Sequence, residues 1–212
     1  MKLSKESMRL YAVTDSRWLN GKSLAGEVEQ AIKGGVTFVQ LREKELAYDA
    51  FVRLACEVKE VTDAYKVPFV INDNVEVALA VQADGVHVGQ TDMAAGDVRS
   101  KIGPDKILGV SARTLQQAMT AQQNGADYLG VGAVYVTDTK DDASLTTMET
   151  IKQICTTVEI PVCVIGGLNY DNLDALKGTG IDGFALVSAI FAEKDVYKAC
   201  KQLRAKIERI VG

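Results

Sequence analysis

Nowhere in this chain do about 18 apolar residues stand together, so no segment reads as a membrane span. The first residues, Met1-Lys2-Leu3-Ser4-Lys5-Glu6, hold no apolar stretch of the kind that directs export, and the expected location is the cytoplasm. Positive charge is also in short supply. Twenty-four Lys and Arg stand against 28 Asp and Glu, a net charge of −4, which excludes a general attraction for nucleic acid. Any functional cations must therefore be gathered locally. The four cysteines, Cys56, Cys155, Cys163 and Cys200, form no C-x-x-C, and three fall in helix- or strand-like stretches. They read as reduced structural thiols rather than metal ligands. No G-x-G-x-x-G follows the first strand-like run, where Tyr11-Ala12-Val13-Thr14-Asp15 stands instead, which speaks against a dinucleotide-binding, doubly wound sheet.

Apolar residues make up 47% of the 212 positions, enough for one sizeable core, and the length suits a single α/β barrel. Strand-like runs occur at residues 10–13, 37–41, 69–71, 85–88, 107–110, 128–131, 162–165 and 183–187. Helical patterns lie between them, such as 47–65, 114–124 and 170–177, with Leu54, Val58 and Val61 recurring at helical spacing. Helix-start signals precede three of the helices: Ser23 before Leu24, Ser111 or Thr114 before the run after strand five, and Asp195 before the last helix. Four stretches, "KGGVTFVQL", "QADGVHVGQ", "NGADYLGVG" and "GTGIDGFALV", repeat one plan of helix end, small residues and strand. Eight strand–helix units without a break in composition predict an α/β fold, a (β/α)8 TIM barrel in a single domain over residues 1–212.

Such a barrel places its active site at the C-terminal ends of the strands. Polar residues collect there. Gln40, Arg42 and Lys44 alternate along and past strand two and should share one face, pointing into the mouth, with Val39 and Leu41 on the other. Asn72 and Asp73 end strand three, Gln90 and Asp92 follow strand four, and Ser111 ends strand five. Thr137, Thr139 and Lys140 follow strand six. Arg42, Lys44 and Lys140 are the types that surround a polyanion. Asp73 and Asp92 are hard oxygen ligands of the kind Mg²⁺ shares with substrate phosphates. Together they read as a diphosphate site; the plainer alternative is that Arg42 and Lys44 only pair with acidic neighbours. Gly166-Gly167, followed by the amides of Val187-Ser188-Ala189, reads as a second phosphate site, although a simple turn also explains the glycine pair. His87, the one histidine, falls inside strand four and suits a hydrogen-bonded interior role better than catalysis. Trp18 and Asn20-Gly21 belong to a loop after strand one that can lie over the mouth.

The motifs "QLREK" (40–44), "IND" (71–73), "GVHVGQTD" (85–92), "GVSART" (109–114), "TDTK" (137–140), "IGG" (165–167) and "VSAI" (187–190) occur in an order and spacing that closely resemble the thiamine-phosphate synthase family over nearly the whole chain. The resemblance implies a barrel that joins a pyrimidinylmethyl diphosphate to a thiazole phosphate, releasing pyrophosphate. It implies that Gln40, Leu41, Arg42, Glu43, Lys44, Asn72, Ser111 and Lys140 contact the pyrimidine or its diphosphate, with Arg42, Lys44, Ser111 and Lys140 as the catalytic set. It further implies Asp73 and Asp92 as Mg²⁺ ligands, and Thr137, Asp138, Thr139, Gly167, Val187 and Ser188 around the thiazole phosphate. The expected partners are these small molecules, with no nucleic acid and no membrane. The chain departs from the family at Ala133 and Val136, where prolines are common, in the short segment after Lys140, and at Arg113, where histidine is usual. A thiazole tautomerase working by proton transfer, or a non-catalytic pathway protein, are the alternatives, and the retained Asp73, Asp92 and Lys140 argue against the first.

Overall fold

Eight parallel strands close in sequence order: β1 (Leu10–Val13), β2 (Phe38–Leu41), β3 (Phe69–Asn72), β4 (Gly85–Val88), β5 (Ile107–Ala112), β6 (Tyr128–Val131), β7 (Val162–Ile165) and β8 (Gly183–Leu186). The computed structural model describes residues 3–19, 21–136 and 145–211. The helices are α1 (Leu24–Lys33), α2 (Tyr48–Tyr65), α3 (Val75–Ala80), α4 (Ala95–Ile102), α5 (Leu115–Gln123), α6 (Met148–Thr157), α7 (Ser188–Phe191) and α8 (Val196–Val211). The expected (β/α)8 barrel is the observed fold.

The helices form where capping and periodicity agree. Ser23 accepts from the Gly26 N–H at the start of α1, whose Leu24, Val28, Ala31 and Ile32 make one buried stripe. Thr114, rather than Ser111, caps α5. The helix expected over residues 170–177 is reduced to a 3₁₀ turn, Leu173–Leu176. Asparagine side chains divert its backbone: Asn169 accepts from the Asp171 N–H, and Asn172 donates to Gly167 O and accepts from the Asn169 N–H. A buried lysine of α8, Lys206, fastens the same stretch. Its Nζ donates to Tyr170 O at 2.6 Å, lies 4.3 Å above the Tyr170 ring and pairs with Asp174 at 2.7 Å.

Both faces of every strand are covered, as a parallel barrel requires. Val39, Leu41, Ile71, Val86 and Leu108 face the helices. Met8, Tyr11, Phe38, Val70, Ile107, Tyr128 and Cys163 fill the interior. The rim at the strand starts carries a fourfold repeat. Thr37, Asp84, Asp127 and Asp182 each precede an even-numbered strand, and each side chain accepts a backbone N–H from the first or second residue of the strand before it: Leu10, Phe69, Leu108 and Val162, at 2.8–3.1 Å. Each also returns its own N–H to that residue's carbonyl. The four stretches that share a plan in the sequence are these four latches.

Candidate active site

The strand ends open onto a cavity of about 120 Å³. Since an apolar cavity of roughly 150 Å³ holds a benzene molecule, this one has room for about one aromatic ring, and phosphate groups must sit at its rim. Gln40, Arg42, Asn72, His87 and Ser111 line one side; Gly166, Gly167, Val187 and Ser188 line the other. Arg113, which departs from the resemblance, also lines the cavity, from the end of β5, and adds a second arginine to the Arg42 that follows β2.

The floor is a connected set of polar groups. Gln40 is buried and its Nε2 donates to the Tyr11 hydroxyl. Tyr11 Oη lies 2.7 Å from Tyr128 Oη, which lies 2.9 Å from His87 Nδ1. His87 Nε2 lies 2.9 Å from Ser111 Oγ. His87 is buried and hydrogen-bonded in the interior, as expected, and it also lines the cavity. Burial pushes both phenols well above the usual tyrosine range, so they remain protonated.

Beside Arg42 lie two carboxyls of opposite character. Burial pushes the Asp15 carboxyl up, but hydrogen bonds from the Arg17 side chain and N–H, with the nearby charges of Arg17 and Arg42, bring it below the usual range. Glu43 is raised, chiefly by burial, although the Ser16 hydroxyl donates to it.

A model of the family described as "Thiamine monophosphate synthase" matches residues 10–190. The chain belongs to the thiamine monophosphate synthase family. It is 51% identical to the thiamine-phosphate synthase of Clostridium tetani, covering 92% of this chain and 93% of that one. It is 52% identical to that of Ruminiclostridium cellulolyticum, covering 94% and 95%. Among solved structures, the thiamine phosphate pyrophosphorylase from Pyrococcus furiosus superposes with a TM-score of 0.90 at 37% identity, covering 98% and 99%.

The family resemblance named a set of residues, and the barrel distributes them. Gln40, Arg42, Asn72, Ser111, Gly167, Val187 and Ser188 meet at the cavity. Leu41 does not: strand alternation turns it outward, fully buried against the helices, and it is corrected from a substrate contact to a core residue. β2 ends at Leu41, so the alternation does not carry Lys44 into the cavity; Lys44 is exposed and makes no ion pair among the described residues. Glu43 stands behind Arg42, against Ser16. Thr137, Asp138, Thr139, Lys140 and Asn20 lie outside the described residues.

Asp73 and Asp92 are exposed, on the loops after neighbouring strands β3 and β4. Asp73 has a left-handed backbone (φ 62°), donates its N–H to His87 O and accepts from Asn72 Nδ2 at 2.6 Å. Asp92 accepts from the Gly89 N–H at 2.7 Å. Neither caps a helix: Asn74 caps α3, and α4 begins only at Ala95. No group of three or more His, Cys, Asp or Glu that could hold a metal occurs among the described residues. This donor set is too sparse for a metal held by protein alone, and it suits Mg²⁺, which takes one or two carboxylates and fills its remaining positions with phosphate and water.

Proposed function

We propose that this chain joins a 4-aminopyrimidin-5-ylmethyl diphosphate to a thiazole phosphate, forming thiamine monophosphate and pyrophosphate. The observation that carries this reading is a ring-sized cavity lined by two arginines, Arg42 and Arg113, and by the glycine pair Gly166-Gly167. The aminopyrimidine ring occupies the cavity, and its diphosphate rests against Arg42 and Arg113. The methylene C–O bond breaks with its electron pair leaving on the diphosphate, while the ring amino group donates electron density to the methylene carbon. The lone pair of the thiazole nitrogen then forms the new C–N bond, leaving a thiazolium and no proton to remove. No protein nucleophile is required. The chain supplies orientation and fixed positive charge where the leaving group gains negative charge.

Asp73 and Asp92 would hold Mg²⁺ together with the diphosphate, and bound there the ion would neutralise leaving-group charge. Gly166, Gly167 and Ser188 would receive the thiazole phosphate through their backbone N–H groups. Four unpaired thiols, of which Cys163 and Cys200 are buried, fit a reducing cytoplasmic setting. Pyrophosphate release measured with each substrate alone and with both, with and without Mg²⁺, tests the reading. Release should require both substrates and the metal, and thiazole isomerisation without release would overturn it.

Arg42 and Lys44 should separate in the same assay. Arg42→Ala is expected to lower kcat/KM by about tenfold to a hundredfold, and Lys44→Ala by less, because Lys44 lies off the cavity. Both should melt within about 2 °C of the parent, since neither truncation opens a core void. Melts and rates on the same preparations decide this. A large fall in melting temperature with normal turnover would assign Arg42 to structure.

A further inference from the structure

Five side chains from five strands form one chain of hydrogen bonds under the cavity: Gln40 (β2), Tyr11 (β1), Tyr128 (β6), His87 (β4) and Ser111 (β5). Room for it is made by glycine. A Cβ at Gly109 would come within 2.2 Å of the Tyr128 ring and 2.5 Å of His87 Nδ1, and one at Gly130 within 3.1 Å of His87 Cε1. Strand interiors seldom carry glycine without a reason of this kind.

Each tyrosine hydroxyl has a single hydrogen, so one orientation sets the next. Gln40 Nε2 donates to Tyr11. Both tyrosines are buried, where a hydroxyl hydrogen without an acceptor is costly, so Tyr11 donates to Tyr128, and Tyr128 to His87 Nδ1. A neutral imidazole accepting at Nδ1 carries its proton on Nε2 and donates to Ser111 Oγ. The Ser111 hydrogen is left for the cavity. At the other end, with Nε2 committed, the Gln40 carbonyl oxygen is left for the cavity. The chain therefore ends in one acceptor and one donor.

We propose that His87, held as its Nε2–H tautomer by Tyr128, is a positioning residue that fixes this direction, and that the resulting acceptor–donor pair selects an amino-substituted pyrimidine over its oxo counterpart. An amino group donates to Gln40 Oε1 while a ring nitrogen accepts from Ser111. An oxo pyrimidine turns a carbonyl oxygen toward Gln40 Oε1, so lone pair faces lone pair there; at the other end the Ser111 hydroxyl must turn to accept the ring N–H, leaving its own hydrogen without the ring acceptor. Sites that hydrogen-bond a substrate reject the mismatched analogue far more strongly than apolar pockets do. The proposal rests on the pyrimidine reading above.

With one histidine in the chain, ¹⁵N-histidine labelling gives a single pair of ring-nitrogen signals, which reports the tautomer without any substrate. The expected result is protonated Nε2 and bare Nδ1 in the parent, and a mixture of tautomers in Tyr128→Phe. Tyr128 does not line the cavity, so its hydroxyl acts only through the chain. The kcat/KM ratio of amino to oxo pyrimidine diphosphate should exceed about a hundredfold in the parent and fall about tenfold or more in Tyr128→Phe, with the KM for thiazole phosphate unchanged. An Nδ1–H tautomer or a doubly protonated ring in the parent overturns the proposal, even if Tyr128→Phe fails to fold. An unchanged ratio in folded Tyr128→Phe does the same. An Nε2–H tautomer with no turnover of the aminopyrimidine would instead overturn the functional reading, and the selectivity with it.

Discussion

Asp73→Asn and Asp92→Asn are each expected to melt like the parent chain while Mg²⁺-dependent turnover falls roughly a hundredfold or more, about 3 kcal/mol of transition-state stabilisation. The local structure makes Asn a clean replacement at both positions. At residue 73 the backbone lies in the left-handed region at φ 62°, which Asn adopts about as readily as Asp. Its hydrogen bond to His87 O comes from the backbone and survives. At residue 92 the contact to preserve is the Gly89 N–H, which an amide oxygen accepts as well as a carboxylate oxygen does. A lost helix cap cannot explain a defect, because Asn74 caps α3 and Asp92 lies outside α4. What each change removes is one negative charge at the mouth. Thermal melts beside rates titrated with Mg²⁺ decide the matter. If both variants keep parental rates and metal dependence, the metal is held elsewhere or the reaction does without it.

Gly167→Val is expected to lower stability by about 3 kcal/mol, roughly 6–12 °C in melting temperature for a domain of this size. It should also weaken thiazole phosphate by about tenfold or more. Gly167 has φ 65°, where a β-branched residue is strained. A Cβ there would meet Val136 O at 2.5 Å and Tyr135 Cβ at 2.7 Å. The first of these is backbone, so the loop after β6 has to move. Gly166 is in the same position, with a Cβ 2.6 Å from Ala133 Cα. The glycine pair thus lets two mouth loops touch, which Tyr135 N–H to Gly166 O at 3.0 Å completes. Gly167→Ala should fall between parent and Val. Calorimetry with each substrate separates the effects. Equal losses for thiazole phosphate and pyrimidine diphosphate would show that the whole mouth is disturbed, and the assignment of separate phosphate sites would fail.

The barrel was legible because its signals are local and repeated. β1, β4, β6 and β7 fall on the runs read from hydrophobicity, and Ser23, Thr114 and Asp195 start helices as their chemistry suggests. Periodicity predicts a longer helix around the turn at Leu173–Leu176 because it does not register competition from Asn169 and Asn172. At the mouth, alternation placed Gln40 and Arg42 correctly but was carried past the end of β2, where Lys44 no longer obeys it. Arg113 showed itself only as a departure from a family pattern. The floor was out of reach for a different reason. Tyr11, Gln40, His87, Ser111 and Tyr128 are spread over more than half the chain, and nothing in their neighbours says that their polar atoms meet.

The latches formed by Thr37, Asp84, Asp127 and Asp182 have a bearing on how such a molecule can change over time. Each joins an odd strand to the next even one, so the barrel contains four similarly latched strand pairs, each registered at the rim opposite the mouth. Alignment of the strands does not depend on the loops that meet substrate. Insertions, deletions and new side chains in those loops can therefore accumulate without re-indexing the sheet, and one frame can be refitted for a different pair of phosphorylated reactants.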